Sequence, residues 1–181
     1  KNYFDYSKSQ IKADFMDVFL GYICSFCVST NTGFDSLPMI FRKPILYIGS
    51  MPVGIFTSNS KKIMVTTKKH YSKKHKKILT LHEIFKQNVA YSLIGEDFTN
   101  KRIKLLDLSP QEINQSTIDM LNYIDNNFKL SKKNERINQL FWKKYENLYL
   151  KYLPKNKIHG KIRCIISPSF LKKYRSWLLN G

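Results

Sequence analysis

The chain has 181 residues, 43% of them hydrophobic and 14% aromatic, which suits one domain, alone or with an appendage, and excludes wholesale disorder. Its formal net charge is +18, from 31 Lys and Arg against 13 Asp and Glu. No apolar run reaches the roughly 18 residues that a spanning helix needs.

Two readings of the charge stay open. One is an anionic partner: nucleic acid, acidic lipid head groups or a phosphorylated substrate. The other is coding bias, because arginine occurs only at positions 42, 102, 136, 163 and 175 and the other basic residues are Lys. Sites built for phosphate favour the bidentate Arg fork. The start, "KNYFDYSKSQ", has no initiator Met and no apolar core, so it is not read as a signal peptide, and a longer parent protein is expected.

In chain order, Ile11, Phe15, Val18, Phe19 and Tyr22 share one helical face over 9–22. Asp14 and Asp17 on that helix read as surface charges. Ser25–Thr30 reads as a short buried strand. Cys24 and Cys27 form a C-x-x-C without the second pair that zinc wants, Cys164 being alone and His159 five residues before it; all read as structural thiols. Phe34–Phe41 suits a short helix with Asp35 or Ser36 as its cap, and Lys43–Gly49 a second apolar strand. This alternation predicts an α/β fold, a doubly wound parallel sheet of the Rossmann type.

Residues 50–77 read as a long loop with strand character at Lys62–Thr66, ending in the basic run "KKHYSKKHKK", where His70 and His75 read as solvated. Thr80 and Glu83 stand in capping-box spacing. Lys101–Leu108 reads as a strand. "SPQEI" opens the next helix with Ser109 as cap, Pro110 first and Glu112 closing the box; Ile113, Thr117, Met120, Leu121 and Ile124 line one face. Residues 135–153 form an aromatic, Lys-rich helix stopped by Pro154. A short extended piece and a final helix carrying Phe170, Leu171, Tyr174, Trp177 and Leu178 follow. The expected organisation is a domain over 1–129 and a helical C-terminal extension over 130–181 that packs on it or on a missing N-terminal domain.

"TNTGFDS" between a strand and a helix is a candidate anion cradle, because ligands sit outside the carboxyl ends of parallel strands. Gly33 would let the backbone approach, with Thr30, Asn31, Thr32 and Ser36 beside it. The same residues suit an ordinary turn and cap.

The stretch from Asp5 to Gly49 resembles the nucleotide-sugar-binding half of GT-B glycosyltransferases, distantly the heptosyltransferases, and more closely a bacterial family of surface-carbohydrate glycosyltransferases. The matching pieces are Asp5-Tyr6 with Ser9, Asp14 through Leu20, Cys24 through Pro44, Lys69-His70-Tyr71 before Leu79, "LLDLSPQEI" and "SPSFLKKYRSWLL". The resemblance implies a donor site. Thr32, Gly33, Phe34 and Asp35 would present backbone N–H groups to the diphosphate, and Thr30, Asn31 and Ser36 side-chain hydrogen bonds. Asp5, Tyr6 and Ser7 would flank the nucleotide, and Lys69 would neutralise the leaving phosphate without a metal or other cofactor. Asn31 stands where the heptosyltransferase pattern has an acid, and Asp35 and Ser36 where it has a His, so heptose contacts are not carried over.

The implied function is transfer of a sugar from a nucleotide diphosphate donor to a surface polysaccharide or lipid-linked acceptor. The implied setting is cytoplasmic or at the inner membrane face, with an anionic membrane surface as a further partner and no nucleic acid. The catalytic base is expected on the other, N-terminal half. The alternative is a basic nucleic-acid- or membrane-surface-binding module without catalysis.

Overall fold

The structure is a computed structural model that describes residues 3–56, 60–152 and 162–179. Its centre is a parallel sheet of β1 (Cys27–Ser29), β2 (Ile45–Ser50), β3 (Ile63–Thr67) and β7 (Ile165–Ile166), in the order β1-β2-β3-β7. The fold is mixed α/β.

Side chains alternate across this sheet, as the pleat requires. Leu46, Ile48 and Met64 face Met120 and Tyr123 of α5 (Pro110–Asp125). Ile45, Tyr47, Ile63 and Val65 face the larger core. That core includes Leu81, Ile84 and Phe85 of α3 (Leu81–Lys86) and Phe141, Tyr145 and Tyr149 of α6 (Lys132–Tyr152). Both strands are buried on both faces, which accounts for their continuous apolar sequence.

α5 runs against the strands. Its first turn meets Lys69 just past the end of β3, and Tyr123 Oη near its end donates to the Lys61 carbonyl just before β3. Both capping boxes are present: Thr80 with Glu83 on α3, and Ser109 with Glu112 on α5.

Residues 69–78 depart from the sequence reading. The basic run is not a loop: it folds as β4 (Lys69–Ser72), a turn and β5 (Lys77–Ile78). β4 pairs antiparallel with β5 and with β6 (Ile103–Leu106) in a second sheet, β5-β4-β6. Alternation along β4 sends His70 and Ser72 inward, so His70 is buried against Phe98 of α4 (Gly95–Asn100) rather than solvated. Much of the charge in this run meets acids of the same chain, in the pairs Lys68–Asp107, Lys69–Glu112 and Lys77–Glu83.

The stretch beyond 130 gives the parallel sheet its strand β7 and the core much of its aromatic packing. Asn138 of α6 caps the outer edge of that strand, its Nδ2 donating to the Ile166 carbonyl and its Oδ1 accepting from the Ile166 N–H. A side-chain amide there does the work of a neighbouring strand. α7 (Pro168–Lys173) and α8 (Arg175–Leu179) follow. Pro154, His159 and the side chain of Leu178 lie outside the described residues.

The first helix, α1 (Asp14–Ile23), meets α2 (Ser36–Ile40) through Gly21, where an added Cβ would stand 2.8 Å from the Leu37 Cβ. The apolar face read from sequence is a real stripe, yet Phe15, Val18, Phe19 and Tyr22 are all exposed.

Candidate functional site

The strands of the parallel sheet end on one edge, and the polar loop after β1 lies there. Asn31 takes a left-handed backbone (φ 61°), which Asn tolerates through its short polar side chain. Gly33–Asp35 form one tight 3-10 turn that runs directly into α2. The Asp35 N–H donates to the Thr32 carbonyl.

Gly33 has no conformational need to be glycine. It is absent from the positive-φ residues, and a Cβ built on it meets nothing within 4 Å. Asp35 departs from both expectations: its N–H is given to Thr32 rather than offered to a ligand, and its side chain does not cap α2. Its carboxylate turns inward, is 7% exposed, and accepts a 2.8 Å hydrogen bond from Ser29 Oγ. It braces the loop from behind, and a ligand outside would meet backbone and hydroxyl groups instead. Thr30, Thr32 and Phe34 line an open cleft of about 290 Å³, whose apolar wall includes Ile48 and Ile113. Asn31, Gly33 and Ser36 are exposed beside it.

Ile113 belongs to the first turn of α5, and its neighbour Glu112 faces the other way. The Glu112 Oε2 accepts from the Ser109 N–H at 2.7 Å and from Lys69 Nζ at 3.1 Å. Its Oε1 accepts from Lys173 Nζ at 2.9 Å and from Tyr174 Oη. Burial alone would raise the Glu112 pKa. The hydrogen bonds from Tyr174, the Ser109 backbone, Lys173 and Lys69 outweigh that and hold the carboxyl well below the usual carboxylate range. Burial, and then the same contact seen from the other side, push the Tyr174 hydroxyl up to about 12.

The cluster borders a cavity of about 150 Å³ between α5 and α7, where Gln111, Gln115 and Ser169 add polar groups. Asp119 clamps the far wall by accepting from Ser167 Oγ, the Ser169 N–H and Ser169 Oγ at 2.6–2.8 Å.

The structure thus brings Lys69 and the 30–36 loop to opposite sides of one helical turn. It does not bring Asp5, Tyr6 and Ser7 there by any contact among the described residues. Ser7 Oγ donates to Asp5 Oδ1 at 2.6 Å, and Tyr6 Oη exchanges hydrogen bonds with the Ala13 backbone, so this turn braces the start of α1.

Sequence reasoning missed Glu112 as a charge hub, and Lys173 and Tyr174 with it. "SPQEI" announced a capping box, which uses only one carboxylate oxygen. The other takes Lys173 and Tyr174, more than sixty residues away, and the capping oxygen also takes the distant Lys69, which no local pattern displays.

Among the described residues no cluster of three or more His, Cys, Asp or Glu could hold a metal ion, and no helix is long and apolar enough to cross a membrane. Burial first, then the neighbouring Cys24 and Asp35 charges, push the Cys27 thiol up to about 11, so at neutral pH it is an inert thiol. In comparisons with protein-family models, with curated proteins and with solved structures, nothing matches the chain.

Proposed function

We propose that the chain is the donor-binding part of a GT-B-like glycosyltransferase, acting on a nucleotide diphosphate sugar, with the Thr30–Ser36 loop receiving the diphosphate. The observation that carries this reading is that the loop and Lys69 flank the first turn of α5 from its two sides, at the carboxyl edge of a parallel sheet. Those are the two pieces that the glycosyltransferase resemblance assigns to the donor phosphates, and they come from positions far apart in sequence. Helices on both faces of the sheet support a Rossmann-like, doubly wound reading of the fold.

The chemistry would be electrostatic. Thr30, Thr32 and backbone N–H groups would hold the diphosphate in the cleft. Lys69 and Lys173 give the Glu112 cluster a net positive charge, which would favour the negative charge that develops as the sugar leaves. In this reading the acceptor is a surface polysaccharide or lipid-linked glycan, its activating base lies outside this chain, and the setting is cytoplasmic.

The test uses the open space at Gly33. Gly33→Ala is sterically free in the unliganded protein, so its stability should stay within about 1 kcal/mol of wild type. The same methyl would stand where a diphosphate must approach, and nucleotide-sugar affinity should fall about tenfold or more. Denaturant unfolding without ligand reads the first, and titration with UDP-, GDP-, ADP- and CMP-sugars the second. No affinity for any donor, or a variant that binds as well as wild type, would overturn the reading.

A further inference from the structure

A groove of about 720 Å³ runs between the start of α6 and the α7–α8 segment. Five cations line it: Lys132, Lys133 and Arg136 from α6, Lys172 from α7 and Arg175 from α8. Its floor is aliphatic, Ile137 and Leu140, the latter 37% exposed.

No acid lines the groove, and none of the five cations has an ion pair among the described residues. This sets it apart from the 68–77 run, whose Lys68, Lys69 and Lys77 reach acids of the chain. Nor is it one charged run in the sequence. Three helices converge on it, and two of the chain's five arginines stand there. Like charges gathered without acids repel one another, and an anionic partner relieves that cost.

The floor narrows the partner. No aromatic residue lines the groove, so nucleobases would find no ring to stack on. A phosphate with hydrocarbon behind it fits better. Planar guanidinium groups take the phosphate oxygens in pairs, and an aliphatic floor takes methylenes.

We propose that this groove docks the protein on a bilayer through acidic phospholipid headgroups, with Arg136 and Arg175 on the phosphate and Ile137 and Leu140 under the glycerol and first acyl carbons. This goes beyond the donor-site reading and does not depend on it. α7 connects the two places, since Lys172 faces the groove and Lys173 the Glu112 cavity. A docked bilayer would therefore lie one helix away from the carboxyl edge of the sheet.

Co-sedimentation with vesicles tests the proposal. The chain should bind phosphatidylcholine vesicles containing about 30% phosphatidylglycerol and ignore phosphatidylcholine alone. Arg136→Glu with Arg175→Glu should weaken binding about tenfold or more. Lys73→Glu with Lys74→Glu, an equal change of charge outside the groove, should change it less than about threefold. All four positions are exposed, and thermal melts check that both variants fold.

Equal loss in the two variants would mean net charge alone and would overturn the groove. So would absence of binding, or equal binding to neutral vesicles. A duplex DNA or RNA probe that binds more tightly than vesicles and depends on Arg136 and Arg175 would reassign the groove to nucleic acid. None of these readouts involves a nucleotide-sugar, so failure here leaves the donor-site test standing, and the reverse.

Discussion

His70 sits in a position that its sequence context conceals. It lies in a lysine-rich run, yet pleat alternation buries it completely beside Phe98, and neither ring nitrogen has a hydrogen-bond partner of good geometry among the described residues. Burial lowers its pKa to about 4, against a smaller opposing pull from the Lys68 backbone. The unfolded imidazole titrates near 6.5. The folded pKa is the lower one, so the unfolded chain takes up the proton first. The stability present above about pH 6.5 is then lost as pH falls towards 4, by up to roughly 3 kcal/mol. His70→Leu should flatten that acid slope in urea titrations between pH 4 and 7 while changing stability little at pH 7.5. An unchanged slope would mean that the ring is solvated or paired. Asp35 is the complementary case: its spacing marked a polar loop correctly, but only the fold shows that the carboxylate turns back to Ser29.

Elements were legible where the signal was local. Ser109 with Glu112 and Thr80 with Glu83 announced two helix starts, and the short apolar runs announced β1 and β2, because caps and burial act within a few residues. The α5 face was legible in part. Met120 is buried as expected, but Leu121 is exposed, and the buried row also holds Glu112, Ser116 and Tyr123. Apolar periodicity passes over polar residues that are buried because they are bonded, here to Lys69 and to Ser167. The β4–β6 pairing was not legible, since charge masked the alternation in the basic run. Neither was the seal on β7, which rests on one asparagine. Replacing Asn138 by Leu would leave the Ile166 N–H and carbonyl unpaired in a buried place, at a cost of about 2 to 4 kcal/mol in the unfolding free energy read from urea titration. A loss below about 1 kcal/mol would show that water reaches that edge.

At the scale of the molecule, the sequence read as α/β with parallel strands, and the structure has that sheet plus a second, antiparallel one. Lys68 is the junction: β3 ends before it and β4 begins after it, and its ammonium is fixed to Asp107 at 2.8 Å. The stripe on α1 shows the limit of pattern reading. Periodicity says which residues share a face, and here that face is open to solvent.

The pairing of β3 with β7 also sets an order in time. Met64 lies beside Ile165 and Val65 beside Ile166, so on the ribosome β3 is made long before its neighbour. At ordinary synthesis rates that interval is on the order of ten seconds. Through it, β3 would present an apolar, hydrogen-bonding edge of the kind that pairs with other chains. A nascent chain arrested at Ile165, with α5 outside the exit tunnel and β7 still within it, should therefore be cut readily by protease and recruit chaperones, and one released after α8 should resist. Equal resistance at both points would mean that β1, β2, β3 and α5 form a stable unit before their last strand arrives.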